Sequence, residues 1–172
     1  LLEQKELVTE ARSAWDKAML LGQEAGYKNS QVTVIAPTGT IAFMMDCDTT
    51  GIEPALALIS YKKLVGGGVL RLVNNKVSQA LKKLGYDESQ INEIISYIDK
   101  NETIEGAPHI KQEHLPVFDC SFKALHGTRS ISPMGHLKMM GAVQPFVSGA
   151  ISKTVNLPKD ATREEIFNAF VE

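Results

Sequence analysis

Two cysteines in 172 residues, Cys47 and Cys120, are too few for a disulfide scaffold. Charge of one sign is also lacking. With 18 Lys and Arg against 20 Asp and Glu, the formal net charge is −2 and no run of like charges stands out, which excludes a basic field for nucleic acid or an anionic membrane. No apolar stretch approaches the length of a membrane span, and no basic segment leads into an apolar one with a cleavage site. The expectation is a reducing, cytoplasmic setting with no membrane partner. There is no internal repeat and no low-complexity tract. What the chain does have is apolar material: 44% of its residues are hydrophobic, enough for one ordinary domain with a real core.

The spacing of that material predicts helices at both ends. LLEQKELVTEARSAWDKAMLLGQEAG places Leu7, Ala11, Trp15, Ala18, Leu21 and Ala25 on one face, already helical from Leu1, with Gly26 as the C-cap and Gly22 a weak point. Thr162 and Glu165 form a T-x-x-E capping box before Ile166, Ala169 and Phe170. Leu1 is not an initiator Met, and the last helix stops in its third turn, so the reading expects a piece of a longer polypeptide. Between the ends, V-T-V-I at 32–35 predicts a buried strand that must stop at Pro37, which cannot donate to a ladder. The apolar run at 41–45 fits either a strand or a buried helix, and 46–51 is turn chemistry. Val69, Leu72, Val73, Val77, Ala80, Leu81 and Leu84 predict one amphipathic helix closed by Gly85. Asp87 and Gln90 cap a second, with Ile91, Ile94, Ile95 and Ile98 inward, giving a helical hairpin. Residues 101–132 lose their period and gather Pro108, Pro116 and three of the four histidines, as a long irregular connection does. Pro133 opens a helix with Met134, Leu137, Met140, Ala142 and Val143 inward, and 152–157 predicts a strand stopped by Pro158. Helix, strand and helix are thus written twice, which predicts α/β architecture with parallel strands.

Several groups of residues could carry chemistry. In P-T-G-T-I, Gly39 can take backbone angles closed to other residues, and Thr38 and Thr40 add hydroxyls beside backbone N–H groups, so Pro37, Thr38, Gly39, Thr40 and Ile41 could cradle an oxyanion such as phosphate. The same composition also makes ordinary turns. The loop lacks the lysine of a P-loop and the three spaced glycines of a dinucleotide fingerprint, and Gly66, Gly67 and Gly68 read as a flexible joint. His109, His114, His126 and Cys120 have irregular intervals and a single sulfur, which argues against zinc and for solvated or core histidines. Acidic neighbours oppose thiolate formation at Cys47, and Cys120 has no base beside it. Asp46, Asp48 and Glu53 could suggest Mg²⁺, but acids near helix starts more often cap backbone groups.

Four motifs taken together are not generic: A-P-T-G-T-I at 36–41, D-C-D-T-T-G-I-E-P at 46–54, E-G-A-P-H-I at 105–110 and P-F-V-S-G-A-I-S-K-T-V-N-L-P at 145–158. In order and spacing they resemble the class II, adenosylcobalamin-dependent ribonucleotide reductases, and H-L-P-V-F-D-C at 114–120 resembles the bacterial branch. The resemblance implies that residues 1–172 are the C-terminal part of one catalytic barrel domain, a ten-stranded α/β barrel of helix-strand repeats with a helical and irregular insert at about 66–132. It implies that Pro37, Thr38, Gly39, Thr40 and Ile41 bind the substrate's diphosphate through backbone amides and a Thr hydroxyl. It places Gly51 to Pro54 in a structural turn near the active site and makes 152–157 a later barrel strand. The implied reaction is radical reduction of ribonucleoside diphosphates or triphosphates to deoxyribonucleotides, begun by adenosylcobalamin and fed by a thioredoxin-type reductant. The family's Asn-x-Cys-x-Glu fingertip motif is nowhere in these residues, and Cys47 and Cys120 do not match it. No catalytic residue or metal ligand is therefore assigned here. The piece is expected to be inactive alone, to need the N-terminal barrel half, and to self-associate through uncovered edges. The alternative reading is a non-catalytic split or truncated module that binds nucleotide or phosphate.

Overall fold

In the computed structural model, which describes residues 5–63, 66–159 and 161–172, two compact units divide the chain, Leu1–Thr33 and Val34–Glu172. The first is built on α1 (Lys5–Ala25). Gly26, at φ +78°, ends α1 as expected, its N–H donating to the Gly22 carbonyl at 2.8 Å. Gly22 has a packing reason: the Tyr27 ring folds over it, and a Cβ there would lie 1.9 Å from that ring. The Leu7, Trp15 and Leu21 stripe is exposed rather than buried. The expected helical start at Leu1 falls outside the described residues.

The second unit has one two-stranded sheet among the described residues. β1 (Ile59–Lys63) and β2 (Val69–Val73) pair antiparallel, with Ile59 opposite Val73 and Tyr61 opposite Arg71. Gly66, Gly67 and Gly68 lie between them with φ of +97°, +98° and +94°, angles that side chains resist. This corrects the single helix expected from Val69 to Leu84: the first part is a strand, and α3 covers only Lys76–Lys83. Val69, Leu72 and Val73 are too few to tell helical spacing from a strand, and here the segment pairs with Ile59–Lys63 just upstream. α4 (Glu88–Asn101) begins with the expected capping box, Gln90 N–H donating to Asp87 Oδ1 at 2.9 Å, and α3 and α4 make the expected helical hairpin around Gly85.

Val77 and Leu81 of α3 and Ile91, Ile94 and Ile98 of α4 form the core with Ile59 of β1. The stretch 101–132 is irregular apart from a 3-10 helix at Gln112–Phe118, yet it closes that core with Ile104, Ala107, Leu115 and Phe118. Its polar side is tied down as well. The buried Tyr86 hydroxyl meets His114 Nδ1 at 2.7 Å and accepts the Lys111 N–H at 3.0 Å.

The two expected parallel strands reduce to one contact. Ile35 and Ile151 form an isolated parallel bridge, with Ile35 N–H on the Ala150 carbonyl at 3.1 Å and Ser152 N–H on the Ile35 carbonyl at 2.9 Å. A strand needs a neighbour along its length. Val32 and Val34 are exposed, and no ladder continues over 152–157. The run at 41–45 falls mostly in a short helix, α2 (Gly39–Met44), with Ile41, Phe43 and Met44 exposed. α5 (Pro133–Val143) starts at Pro133 behind the Ser132 cap, but His136 is its buried residue, while Met134, Leu137 and Met140 are half-buried and Ala142 is exposed. A second 3-10 helix, Gln144–Phe146, follows it. α6 (Arg163–Val171) opens with the expected Thr162 and Glu165 capping box. No helix of the described residues is long and apolar enough to cross a membrane.

Candidate functional site

The P-T-G-T-I loop turns on Thr38, which sits in the left-handed region at φ 53°, ψ 25°. For a β-branched residue that is a strained position, costing on the order of 1–3 kcal/mol unless the surroundings over-determine it. Here the surroundings do so. The Gly51 N–H donates to Thr38 Oγ1 at 3.0 Å, and the Thr38 carbonyl accepts from Ala42 N–H at 2.7 Å. Gly51, itself at φ +53°, approaches so closely that a Cβ would lie 2.6 Å from the Ala36 carbonyl oxygen. Gly39 and Thr40 open α2, and Ile41 follows them in its first turn. First-turn N–H groups have no acceptor inside a helix, and no side chain caps them here. Nothing lies within 4 Å of where a Gly39 Cβ would point.

Behind the loop lies a buried polar cluster. Lys153 Nζ, on a side chain 1% exposed, is 2.5 Å from Glu53 Oε2, 2.8 Å from His136 Nδ1 and 2.5 Å from the Thr154 carbonyl oxygen. Glu53 Oε1 accepts the Thr154 N–H at 2.6 Å. Burial pushes the Glu53 carboxyl up, and the Lys153 and Thr154 hydrogen bonds with the Lys153 charge more than offset it, so the net shift is down. Burial and then the Lys153 charge lower the His136 pKa, against the opposing pull of Glu53. Three of the sequence motifs meet here: A-P-T-G-T-I through Thr38 and the Ile35 just before it, G-I-E-P through Gly51 and Glu53, and A-I-S-K-T through Ile151 and Lys153.

A second carboxylate organises the E-G-A-P-H-I segment. Glu105 Oε1 accepts the Thr128 and Arg129 N–H groups at 2.8 and 2.9 Å, and Oε2 accepts the Thr128 hydroxyl at 2.7 Å. Burial raises the Glu105 carboxyl, and these bonds reverse the shift. Arg129 then holds Asp119 in a bidentate pair, both bonds at 2.7 Å. The remaining candidates do not converge. His109 Nε2 pairs with Glu93 at 3.0 Å, and Asp48 faces Lys76 at 3.8 Å. No group of three or more metal-ligating side chains occurs among the described residues. Cys47 is exposed; Cys120 is buried, its thiol pushed up to about 11 by burial and then by Asp119. Cys120 therefore lacks the surroundings of a nucleophile.

Lys153, Thr154 and His136 were not singled out from sequence. His136 carried a signal: it stands at an inward position of a helix whose other inward residues are apolar. Lys153 stands inside the 145–158 motif, but its pairing with Glu53, 100 residues away, left no signal in the sequence.

A family model described as ribonucleotide reductase, barrel domain, matches residues 2–172. The chain belongs to that family. Among curated relatives, a vitamin B12-dependent ribonucleotide reductase of Rhodopirellula baltica is 57% identical over 96% of this chain and 16% of its own length. Proteins of the same name from Streptomyces coelicolor and Streptantibioticus cattleyicolor are 53% and 52% identical over 94% of this chain, covering 16% and 26% of theirs. The chain therefore spans only 16% to 26% of the length of those relatives. Two concavities stand out among the described residues, the first far too small for a corrin and the second open to solvent. One, between Leu58, Ile104, Phe118 and Cys120, is about 30 Å³, room for one water. Another is a shallow, open depression beside α4 lined by Ser89, Asn92 and Lys100.

Proposed function

We propose that this chain is part of a reductase that converts ribonucleoside diphosphates or triphosphates to deoxyribonucleotides with adenosylcobalamin, and that Pro37, Thr38, Gly39, Thr40 and Ile41 receive the substrate's phosphates. The observation that carries the reading is Thr38. A β-branched residue kept left-handed by Gly51, in the family's A-P-T-G-T-I motif, is a strained backbone of the kind that clusters at ligand sites. The open space before Gly39 leaves the loop amides approachable by an oxyanion.

In this reading residues 1–172 are one part of a single ten-stranded barrel domain, with 66–132 as an insert, working in the cytoplasm. The remaining N-terminal part of the barrel supplies the radical cysteine and the corrin contacts, and a thioredoxin-type protein supplies electrons. The cofactor supplies the radical, while the residues described here bind and orient the substrate. The test is turnover by the full-length polypeptide with each ribonucleotide and a dithiol. Deoxyribonucleotide formation that requires adenosylcobalamin is expected; no reduction of any ribonucleotide with cofactor and reductant present contradicts the reading.

A further inference from the structure

We propose that Lys153 is a positioning residue for the phosphate loop: its ammonium, bonded at once to Glu53, His136 and the Thr154 carbonyl, closes a ring of contacts that fixes the path of residues 35–38. The inference rests on the phosphate-loop reading above and assigns a residue to that same site.

The ring can be followed residue by residue. Ile35 is bridged to Ile151; two residues on, Lys153 and Thr154 both bind the Glu53 carboxylate; two residues before Glu53, the Gly51 N–H binds Thr38 Oγ1; and Thr38 leads back through Pro37 and Ala36 to Ile35. Three noncovalent links separated by two or three residues thus hold both ends of the strained segment. The bridge rests on two backbone hydrogen bonds and the Gly51 link on one, and the Lys153–Glu53 link joins them.

Hydrogen-bond accounting sets the charge states. An ammonium has three N–H donors and no acceptor, and Lys153 Nζ has three acceptors at 2.5, 2.8 and 2.5 Å, so every donor is used. His136 Nδ1 must then accept, which assigns its proton to Nε2. His136 is 2% exposed, and Nε2 has no partner among the described residues. Apolar side chains of similar volume would hold two segments together with less desolvation than a buried ion pair. What the pair adds is direction: the two Glu53 oxygens bind Nζ and the Thr154 N–H separately, which fixes the orientation of the carboxylate and of the turn that carries Gly51.

The test uses the full-length polypeptide and compares a ribonucleoside diphosphate with the corresponding ribonucleoside, so that the contribution of the phosphates is read directly. Lys153→Met alone leaves the half-buried Glu53 carboxylate without its cation, so it is paired with the double variant Lys153→Met/Glu53→Gln, which removes both charges. In the double variant the preference for diphosphate over nucleoside is expected to fall about tenfold, with KM rising more than kcat falls, while nucleoside affinity stays as in wild type. Glu53→Gln alone, which keeps the volume and an acceptor for Thr154, is expected to move the same ratio in the same direction. A folded double or single variant with an unchanged ratio overturns the role of Lys153. A wild-type protein with no diphosphate preference overturns the phosphate-loop reading, and this inference with it.

Discussion

His136 places a titratable ring in the interior with its Nδ1 against a lysine ammonium. Burial and that ammonium keep it neutral in the folded chain below its ordinary value of about 6.5. The unfolded chain takes up a proton in that window and the folded chain does not, so stability falls as pH drops below about 6.5. Glu53 and Glu105 act at lower pH. Their folded pKa values lie below the ordinary value, so the stability they contribute is present above about 4.3 and is lost as pH falls through the folded values. Urea unfolding followed by circular dichroism is expected to show a midpoint that declines from pH 7 to pH 5, and His136→Gln is expected to flatten that decline. A wild-type midpoint independent of pH across this window contradicts the assignment. At this scale the sequence was legible where chemistry is local. The turn around Gly51 and the unfavourable surroundings for a Cys120 thiolate could be read from neighbours, whereas Glu53 and Lys153 stand in two separate motifs and nothing local shows that they pair.

Secondary-structure elements were legible to the degree that their ends are made by nearby residues. Asp87 with Gln90, Thr162 with Glu165, Gly26 after α1 and Gly85 after α3 all stand where spacing put them, because a cap is a contact within three or four residues. Strands were read worst. Val69–Val73 belongs to a hairpin because Ile59–Lys63 pairs with it, and the strand expected at 32–35 is represented by the isolated Ile35–Ile151 bridge. The capping box of α4 makes a measurable claim. That helix carries Ile91, Ile94 and Ile98 of the core, so Asp87→Ala is expected to cost about 1 kcal/mol of unfolding free energy with little change in denaturant m-value. A midpoint equal to wild type would show that the cap does not hold the helix start.

At the scale of the whole molecule, the core of the second unit lies around α3, α4 and the 101–132 stretch, while the motifs of the candidate site carry many exposed apolar side chains. Phe43 is 80% exposed and Phe146 84%, with Ile41, Met44 and Met45 exposed beside Phe43. Scattered apolar residues on a surface are ordinary, but a cluster of this kind calls for cover. Light scattering over a concentration series is expected to show this 172-residue chain associating as concentration rises; one monodisperse monomer throughout contradicts that expectation. The ten-stranded barrel was an implication of the resemblance and not of any periodicity; among the described residues the strand pairing is the β1–β2 hairpin and the Ile35–Ile151 bridge. The family was legible because four short motifs kept their order.

The most direct measurement is a calorimetric titration of the full-length polypeptide with a ribonucleoside diphosphate, in wild type and in Gly39→Val, with pyrophosphate as competitor. A Gly39 side chain enters open space, so this substitution obstructs the loop amides without displacing a neighbour. The account predicts saturable binding to wild type that pyrophosphate displaces and that weakens about tenfold or more in the variant. Equal affinity in the two proteins would contradict the assignment of Pro37, Thr38, Gly39, Thr40 and Ile41 to the substrate's phosphates.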